Sequence, residues 1–297
     1  FFFFIFFFFF FFLFFFFFFY IFYSIHFYRH ILYMNTIKLK CHPKIKTKKL
    51  CLTKQILYLK KLWNKRHPDK KIQTNNINKI KIKLKYYNSL CNNELCIKKI
   101  INKKIRNDIF APFTPKTWKL DKNTWLNSLD IINVMKQYEE TYKDFIFIGP
   151  SPIDFDSTYN NRCVWDDLCN FNINTNKKYI GFIFNLDPHY KKGSHWVCMY
   201  IDLYEKNILY FDSNGTKIPN EIKILKDRIM KEYKGKLKYY DNYGLKHQKT
   251  NTECGMYCLY TIISLLTKKK KKIDYFIKKK IDDKIVEKYR EIYFNNI

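Results

Sequence analysis

Residues 251–266 read NTECGMYCLYTIISLL, and this stretch decides the fold. It is apolar on nearly every face after Gly255 and contains no proline, which predicts a helix buried on all sides at the centre of the fold. Cys254 lies in the predicted first turn, where the positive end of the helix dipole favours a thiolate over a thiol. Gly255 would let a substrate backbone come close. Taken alone, a cysteine in this position is more often a small buried hydrophobic residue than a nucleophile.

Two β-rich segments upstream supply groups that would activate such a cysteine. Residues 193–203 read GSHWVCMYIDL and residues 208–215 read ILYFDSNG, with the turn-like residues 205–207 between them. Pairing as an antiparallel hairpin would bring His195 and Asp212 to the same edge of the sheet, within hydrogen-bonding distance in a suitable register. This arrangement predicts a general base and the carboxylate that orients it.

The loop before the helix supplies a further candidate. Gln248 precedes Cys254 by six residues, and its side-chain amide could donate a hydrogen bond to an oxyanion. A thiolate, an imidazole, a carboxylate and an oxyanion donor are the parts that a cysteine acyl-transfer enzyme needs. The predicted catalytic residues are therefore His195, Asp212, Cys254 and Gln248.

The order and spacing of these groups resemble the adenain and Ulp1-type cysteine peptidases, which cleave SUMO-like precursors or viral polyproteins. The resemblance covers roughly residues 118–266 and rests on the His-Trp, Phe-Asp-Ser, Gln and Glu-Cys-Gly signatures. The segment TWLNSLDIIN, residues 124–133, is similar to the family's Trp-Leu-Asn-Asp-x-Ile-Ile-Asn element with one residue inserted. Three segments resemble the proteases of giant nucleocytoplasmic DNA viruses: DIINVMKQYE (130–139), GPSPIDF (149–155) and NLDPHY (185–190).

The fold class that follows is α+β, a papain-like fold of the adenain/Ulp1 type with a mixed sheet packed on a central helix that bears the catalytic cysteine. In the family, the tryptophans that match Trp125 and Trp196 cover a narrow tunnel, whose flat walls admit a backbone without side chains. The resemblance therefore implies cleavage after glycine in Gly-Gly-x or Gly-x-Gly-like sites. The implied substrate-binding residues are Trp125, Trp196 and Gly255, with core packing as the alternative for either tryptophan.

The implied function is that of a cysteine-type endopeptidase acting on a protein substrate with a glycine-rich cleavage site. The viral-type segments favour maturation of a viral polyprotein or virion protein, in the host cytoplasm, the virus factory or the virion. Removal of ubiquitin-like modifiers is the alternative. A catalytically dead binding module is disfavoured, because Cys254, His195 and Asp212 are all present. No cofactor and no metal are indicated.

Composition divides the 297 residues into four parts. The predicted parts are a poly-Phe hydrophobic segment (1–36), a basic helical region (37–110), the peptidase domain (111–267) and a lysine-rich C-terminal amphipathic helix (268–297). In the basic region, Leu52, Ile56, Leu59 and Trp63 share one helical face, whereas residues 78–87 suit either a helix or a strand. The C-terminal helix is predicted from an apolar residue at every fourth position from Ile273 to Tyr289.

The net charge of +29 makes a nucleic-acid-binding protein a more remote alternative. The sequence contains no helix-turn-helix signature, zinc finger or glycine-rich phosphate loop, and a lysine-biased coding sequence would produce the same excess. A solvated basic face is therefore the favoured interpretation. DNA as an activating surface for the enzyme stays open.

Residues 1–23 are almost all phenylalanine and carry no charge. A segment of this length can span a bilayer as a membrane anchor, which would leave the lysine-rich flank from Lys38 and the catalytic part on the cytoplasmic side. We favour the alternative of a translated poly-T tract, because the chain starts with Phe rather than Met and lacks the mixture of apolar residues of an ordinary span.

The cysteines number nine, an odd count without regular spacing, which argues against a disulfide scaffold and indicates a reducing compartment. The pairs Cys91/Cys96 and Cys163/Cys169 lack matching partners at zinc-site spacing, so a metal site is disfavoured. Cys258 lies one helical turn after Cys254 and is expected in the core.

Overall fold

The computed structural model describes residues 40–44, 56–61, 63–65, 68–87, 110–121, 123–159, 161–173, 176–267 and 272–295. These residues belong to two compact units, one that contains 56–87 and one that contains 40–44 and 110–295. The phenylalanine-rich segment and the pair Cys91/Cys96 lie outside the described residues. The predictions made for them are therefore not tested by the structure. Among the helices within the described ranges, none is both long and apolar enough to cross a bilayer.

The first unit is helical, as the sequence predicts. Residues 56–61 and 63–65 adopt helical backbone, and helix α1 (Ile77–Tyr87) follows, which decides between the helix and the strand that residues 78–87 left open. Ile56, Ile72 and Ile80 are buried together and form a small core. Hydrophobic contacts between the helical segments therefore hold this unit together.

The second unit is built on a five-stranded mixed sheet. Its strands are β1 (Phe145–Pro152), β4 (Tyr179–Asn185), β5 (Trp196–Asp202), β6 (Asn207–Phe211) and β7 (Lys238–Asp241), in the order β1-β4-β5-β6-β7. A separate two-stranded ribbon consists of β2 (Thr158–Tyr159) and β3 (Arg162–Cys163). The central strands β4, β5 and β6 are antiparallel, and the outer strands β1 and β7 pair in parallel with their neighbours.

Within the part of the second unit that the structure describes, six helices accompany the sheet. They are α2 (Ser128–Thr141), α3 (Asp166–Cys169), α4 (Asn220–Glu232), α5 (Cys254–Leu266), α6 (Ile273–Lys278) and α7 (Asp283–Tyr293), with a 3₁₀ turn at Lys116–Lys119. All 13 residues of α5 are buried, which confirms the helix predicted from the apolar stretch. Helix α4 buries Ile222, Leu225 and Ile229, the face that its periodicity indicates.

The two faces of the sheet support two cores. Along β5, Cys198 and Tyr200 belong to the cluster that contains α5, whereas Val197 and Met199 belong to the cluster that contains the apolar face of α4. This alternation follows from the period of two in a strand, because successive side chains point to opposite faces. The mixed sheet therefore packs on the central helix, as predicted.

Helix α2 begins at Ser128. The boundary is set by a capping box, in which the Asn127 side chain accepts from the Asp130 backbone N–H while the Asp130 carboxylate accepts from the Asn127 N–H. Trp125 and Leu126 consequently lie in the segment that leads into the helix, where they become available to the site described below.

The prediction of one C-terminal helix is wrong. Two helices, α6 and α7, flank a break at residues 279–282. Within the break, the Ile281 N–H donates to His247 Nδ1 at 3.0 Å and the Ile281 carbonyl accepts from the Tyr257 hydroxyl at 2.8 Å. Asp282 then caps α7 by accepting from the Lys284 N–H. These contacts with distant parts of the chain override the local periodicity, and the segment packs on the core around α5.

Candidate active site

The β5–β6 hairpin holds His195 and Asp212 side by side. His195 directly precedes β5 and Asp212 directly follows β6, and the register pairs Cys198 with Phe211. His195 Nε2 lies 2.6 Å from Asp212 Oδ1, so the hydrogen bond expected from the hairpin is present. The antiparallel register thus places an imidazole and a carboxylate at one edge of the sheet.

Asp212 is fully buried and held by several donors. Its carboxylate accepts from the backbone N–H groups of Asn214 at 2.9 Å and Thr216 at 3.2 Å, and from the Thr216 hydroxyl. Burial alone would raise the pKa of Asp212, but the hydrogen bonds with His195, Thr216 and Asn214 and the charge of His195 hold it below its ordinary value. The group is therefore an oriented carboxylate at neutral pH.

Cys254 is the first residue of α5 and is buried. Its thiol lies close enough to His195 to influence the pKa of the imidazole. Burial lowers the pKa of His195, but the hydrogen bonds and charges of Asp212 and Cys254 outweigh it and raise that pKa to about 9. Since Nε2 bonds with Asp212, the other ring nitrogen, Nδ1, is left for the thiol. The structure thus brings three of the predicted residues together as Cys254, His195 and Asp212.

Gln248 is buried, and its amide is fixed at both ends. Its Oε1 accepts from the Ser213 hydroxyl at 2.7 Å, while its Nε2 donates to the Thr250 carbonyl. The backbone N–H of Gln248 also donates to the Ser213 carbonyl at 2.9 Å, which ties this loop to the residue after Asp212. The amide nitrogen carries two hydrogens, so one N–H stays available in addition to the bond with Thr250.

The two predicted tryptophans line one groove of about 960 Å³. Trp196 directly follows His195 in the chain, but neither His195 nor Cys254 is among the residues that line the groove. Trp196 is 6% exposed, and its Nε1 donates to the Leu126 carbonyl at 2.9 Å, which fixes its ring. Trp125 is 37% exposed, so core packing does not explain this residue. Two flat aromatic side chains therefore belong to the wall of the groove, and one of them is the neighbour of His195 in the chain.

The structure gives Gly255 a packing role that the sequence analysis did not predict. Gly255 is buried in the first turn of α5 and is not among the residues that line the groove. A Cβ atom at this position would lie 3.0 Å from Leu126 Cβ and 3.3 Å from Trp196 Cδ1. The glycine is needed because α5 packs closely against these two side chains, and the expectation that Gly255 lets a substrate backbone come close stays a prediction.

The far side of the groove contains a disulfide that the sequence analysis did not predict. Cys163 and Cys169 are bonded to each other across a separation of six residues, and Cys163, Val164 and Trp165 line the groove. Trp165, expected in the core, is half-buried at this edge. The cysteine count and the indication of a reducing compartment did not anticipate this pair, because two of nine cysteines can bond without a regular framework.

Comparison with known proteins places this geometry in a family. The model of the Ulp1 protease family, C-terminal catalytic domain, matches residues 98–297. The chain belongs to the Ulp1 protease family. The resemblance drawn from the sequence motifs is thereby confirmed, together with the prediction of a cysteine-protease family domain.

Two relatives of this Ulp1-family chain are viral proteins. A candidate thiol protease of Acanthamoeba polyphaga mimivirus is 33% identical over 183 residues, which are 58% of this chain and 57% of the relative. A SUMO-1 cysteine protease of African swine fever virus is 28% identical over 118 residues, 37% of this chain and 41% of the relative. The matched parts thus span about half the length of these relatives.

The crystal structure of an African swine fever virus protease superimposes on this Ulp1-family chain with a TM-score of 0.61 at 19% identity. The superposition covers 87% of this chain and 96% of that one. At this level of identity the likeness shows the fold, and it confirms the predicted α+β fold of the adenain/Ulp1 type.

Sequence reasoning missed the residues that support the triad of this Ulp1-family chain. Asn242 is buried, accepts from the Asp212 backbone N–H at 3.0 Å and donates to the Asp212 carbonyl at 2.6 Å. Thr216 completes the set of donors to the carboxylate. Neither residue carries a local pattern that indicates its role, because Asn242 reaches Asp212 only when β7 pairs beside β6.

Proposed function

We propose that the chain is a cysteine-type endopeptidase with Cys254 as nucleophile, His195 as base and acid, and Asp212 as the group that orients His195. The observation that carries the proposal is the 2.6 Å hydrogen bond between His195 and Asp212, with the Cys254 thiol near His195 at the start of α5. Its order and roles are those that activate a thiol for acyl transfer.

In the proposed reaction, His195 takes the proton of Cys254 and the sulfur attacks the scissile carbonyl. The carbonyl oxygen becomes an oxyanion, to which Gln248 donates its available N–H. His195 returns the proton to the leaving amine as the C–N bond breaks, which leaves a thioester. A water molecule, deprotonated by His195, then hydrolyses the thioester and regenerates the thiol.

We propose cleavage after glycine because Trp125 and Trp196 both line the groove and Trp196 directly follows His195 in the chain. A side chain on the residue before the cleaved bond would have to displace an indole ring, and Trp196 is held by its hydrogen bond to Leu126. Substrates with Gly-Gly-x or Gly-x-Gly-like sites fit this restriction, and maturation of a viral polyprotein or virion protein is the process we favour.

A second candidate is the release of ubiquitin-like modifiers, whose conjugates also end in glycine. It is favoured by the African swine fever virus relative, which is named as a SUMO-1 cysteine protease. The two candidates share the chemistry at Cys254 and differ in whether a folded modifier is required for efficient cleavage.

The test uses the purified 297-residue protein with a panel of Gly-Gly-x and Gly-x-Gly-x peptides and with a SUMO fusion, each with and without DNA. Wild type is expected to cleave, and Cys254→Ala is expected to be inactive while keeping its thermal unfolding profile. Cys258→Ala is the matched control, because Cys258 is a buried thiol one turn along the same helix. Cleavage by Cys254→Ala, or its covalent labelling by an electrophilic Gly-Gly probe, would refute the assignment.

A further inference from the structure

The C-terminal segment contributes a buried carboxylate to the loop that carries Gln248. Asp283 is the first residue of α7 and is 4% exposed. Its oxygens accept from the backbone N–H of Lys249 at 3.0 and 3.2 Å, from the N–H of Thr250 at 2.8 Å and from the Tyr257 hydroxyl at 2.8 Å. Three donors from two other parts of the chain therefore converge on one side chain.

These contacts connect Asp283 to the proposed oxyanion donor. Thr250, whose N–H donates to Asp283, supplies the carbonyl that accepts from Gln248 Nε2. Tyr257 lies on α5, three residues after Cys254, so the same carboxylate also joins the loop to the helix that begins at the nucleophile. Asp283 thus sets the position of the Gln248 loop relative to Cys254.

The structure of α7 does not itself require these contacts. The neighbouring residue Asp282 caps the helix by accepting from the Lys284 N–H at 3.0 Å. No ion pair to Asp283 is present among the described residues, and every hydrogen bond described for its carboxylate comes from the loop or from α5. A carboxylate only accepts hydrogen bonds, which matches a site where all partners are donors.

We propose that Asp283 is a positioning residue that holds the Gln248 loop in the geometry needed for oxyanion stabilisation. The proposal rests on the peptidase function proposed above. Loss of the carboxylate would leave two backbone N–H groups without their acceptor and release the Thr250 carbonyl that fixes the Gln248 amide. A displacement of the donor by about 1 Å is sufficient to lower the rate on the order of 10²-fold.

The main experiment compares Asp283→Ala with Asp282→Ala, two identical changes at adjacent positions. Only the first removes the acceptor of the Lys249 and Thr250 backbone N–H groups, whereas Asp282 accepts from the exposed Lys249 ammonium at 3.3 Å. Asp283→Ala is expected to lower kcat on the order of 10²-fold with little change in KM. Asp282→Ala is expected to keep kcat close to wild type. Equal losses in both variants would overturn the proposal, since they would indicate a general requirement for an intact α7.

Two further measurements separate positioning from a structural role. In the Gln248→Ala background, Asp283→Ala is expected to add little further loss, because both changes remove the same interaction; fully additive losses would overturn the proposal. Alkylation of Cys254 by iodoacetamide develops no oxyanion, so its rate is expected to stay near wild type in Asp283→Ala. A parallel fall in alkylation and cleavage would place the damage at Cys254 instead.

If Asp283→Ala does not fold, the isosteric Asp283→Asn keeps one acceptor oxygen and presents an N–H₂ group to the remaining donor. It is expected to lower kcat and to speed hydrogen exchange at the Lys249 and Thr250 amides. Wild-type turnover or unchanged exchange in Asp283→Asn would overturn the proposal. A wild-type enzyme that cleaves no peptide would instead count against the proposed function. Hydrogen exchange at the Lys249 and Thr250 amides tests the Asp283 contacts even when no peptide is cleaved.

Discussion

Replacing Arg290 by methionine should destabilise the second unit to an extent that depends on pH. Arg290 lies on α7, is buried, and donates to both carboxylate oxygens of Glu253, at 3.0 Å from Nε and 2.8 Å from Nη2. Its Nη1 donates to the Thr124 carbonyl at 2.9 Å, and the guanidinium lies over the Trp118 ring. Glu253 is fully buried at the N-cap position of α5, where its side chain binds Arg290 rather than capping the helix.

The expected magnitude follows from the charge that the substitution leaves behind. Methionine fills much of the arginine volume but leaves Glu253 buried without its counter-charge. Removing one partner of a buried ion pair costs about 3–5 kcal/mol in the free energy of unfolding. At roughly 2–4 °C per kcal/mol for a unit of this size, the midpoint of thermal unfolding should fall by about 6 to 20 °C.

The pH dependence follows from the pKa of Glu253. Burial raises this pKa, and the hydrogen bond and charge of Arg290 offset the rise only in part. Without Arg290 the folded-state pKa should rise further. A group whose pKa is higher in the folded than in the unfolded state stabilises the fold at pH values below its unfolded-state pKa, which is about 4.3 for Glu. This stabilisation is lost as the pH rises through the folded-state pKa. The loss of folding stability caused by Arg290→Met should therefore be small in mildly acidic solution and largest in alkaline solution.

The assay is thermal unfolding of wild type, Arg290→Met, Glu253→Gln and the double variant at about pH 5 and about pH 8. The double variant should recover most of the stability that Arg290→Met loses, because a buried amide needs no counter-charge. Lys288→Met is the control, since Lys288 is an exposed cation on the same helix. An equal loss at both pH values, or a double variant no more stable than Arg290→Met, would refute the reasoning.

Three other perturbations test the proposed site. Asp212→Asn removes the hydrogen bond and charge that raise the pKa of His195 to about 9. The alkaline limb of the pH profile of kcat/KM should therefore move to lower pH. An unchanged limb would contradict the role of Asp212. In wild type, Gly before the cleaved bond should be preferred over Ala about ten- to a hundredfold if overpacking costs roughly 1–3 kcal/mol. Trp196→Ala should lower this preference, measured as the ratio of kcat/KM for matched Gly and Ala peptides. A ratio that the substitution leaves unchanged would exclude the tryptophan wall as its cause. Deletion of residues 1–36 should leave peptide cleavage unchanged, because every proposed catalytic residue lies beyond Thr124, and a loss of turnover would assign that segment a catalytic role.

The parts of the fold that local patterns determine were predictable. The apolar run after Cys254 identifies α5, because only a fully buried helix tolerates apolar side chains on every face. The hairpin places His195 beside Asp212 because a strand alternates its side chains and its turn fixes the register. These elements needed no knowledge of distant contacts, and the catalytic candidates lie at their ends.

The remainder depends on contacts between distant residues. The break between α6 and α7 forms where Ile281 meets His247, 34 residues away, and burial lowers the pKa of His247 to about 4 so that its neutral ring can accept this hydrogen bond. The packing role of Gly255 was not predictable, because the sequence does not show that Leu126 and Trp196 lie against it. Periodicity records which side of an element is buried but not which side chain buries it.

Two contacts from α7, one made by the Asp283 carboxylate and one by the Arg290 guanidinium, lie near opposite ends of one loop. This loop runs from His247 to Glu253. Asp283 holds Lys249 and Thr250 beside Gln248, and Arg290 holds Glu253 beside Cys254. The recognisable motifs end with α5, yet both contacts come from α7, beyond the boundary that composition places after residue 267. A fragment that stops there would keep every motif residue and lose the side chains that fix the separation between the proposed oxyanion donor and the nucleophile. Since acyl transfer depends on that separation, the peptidase unit includes α7 in its catalytic geometry as well as in its core.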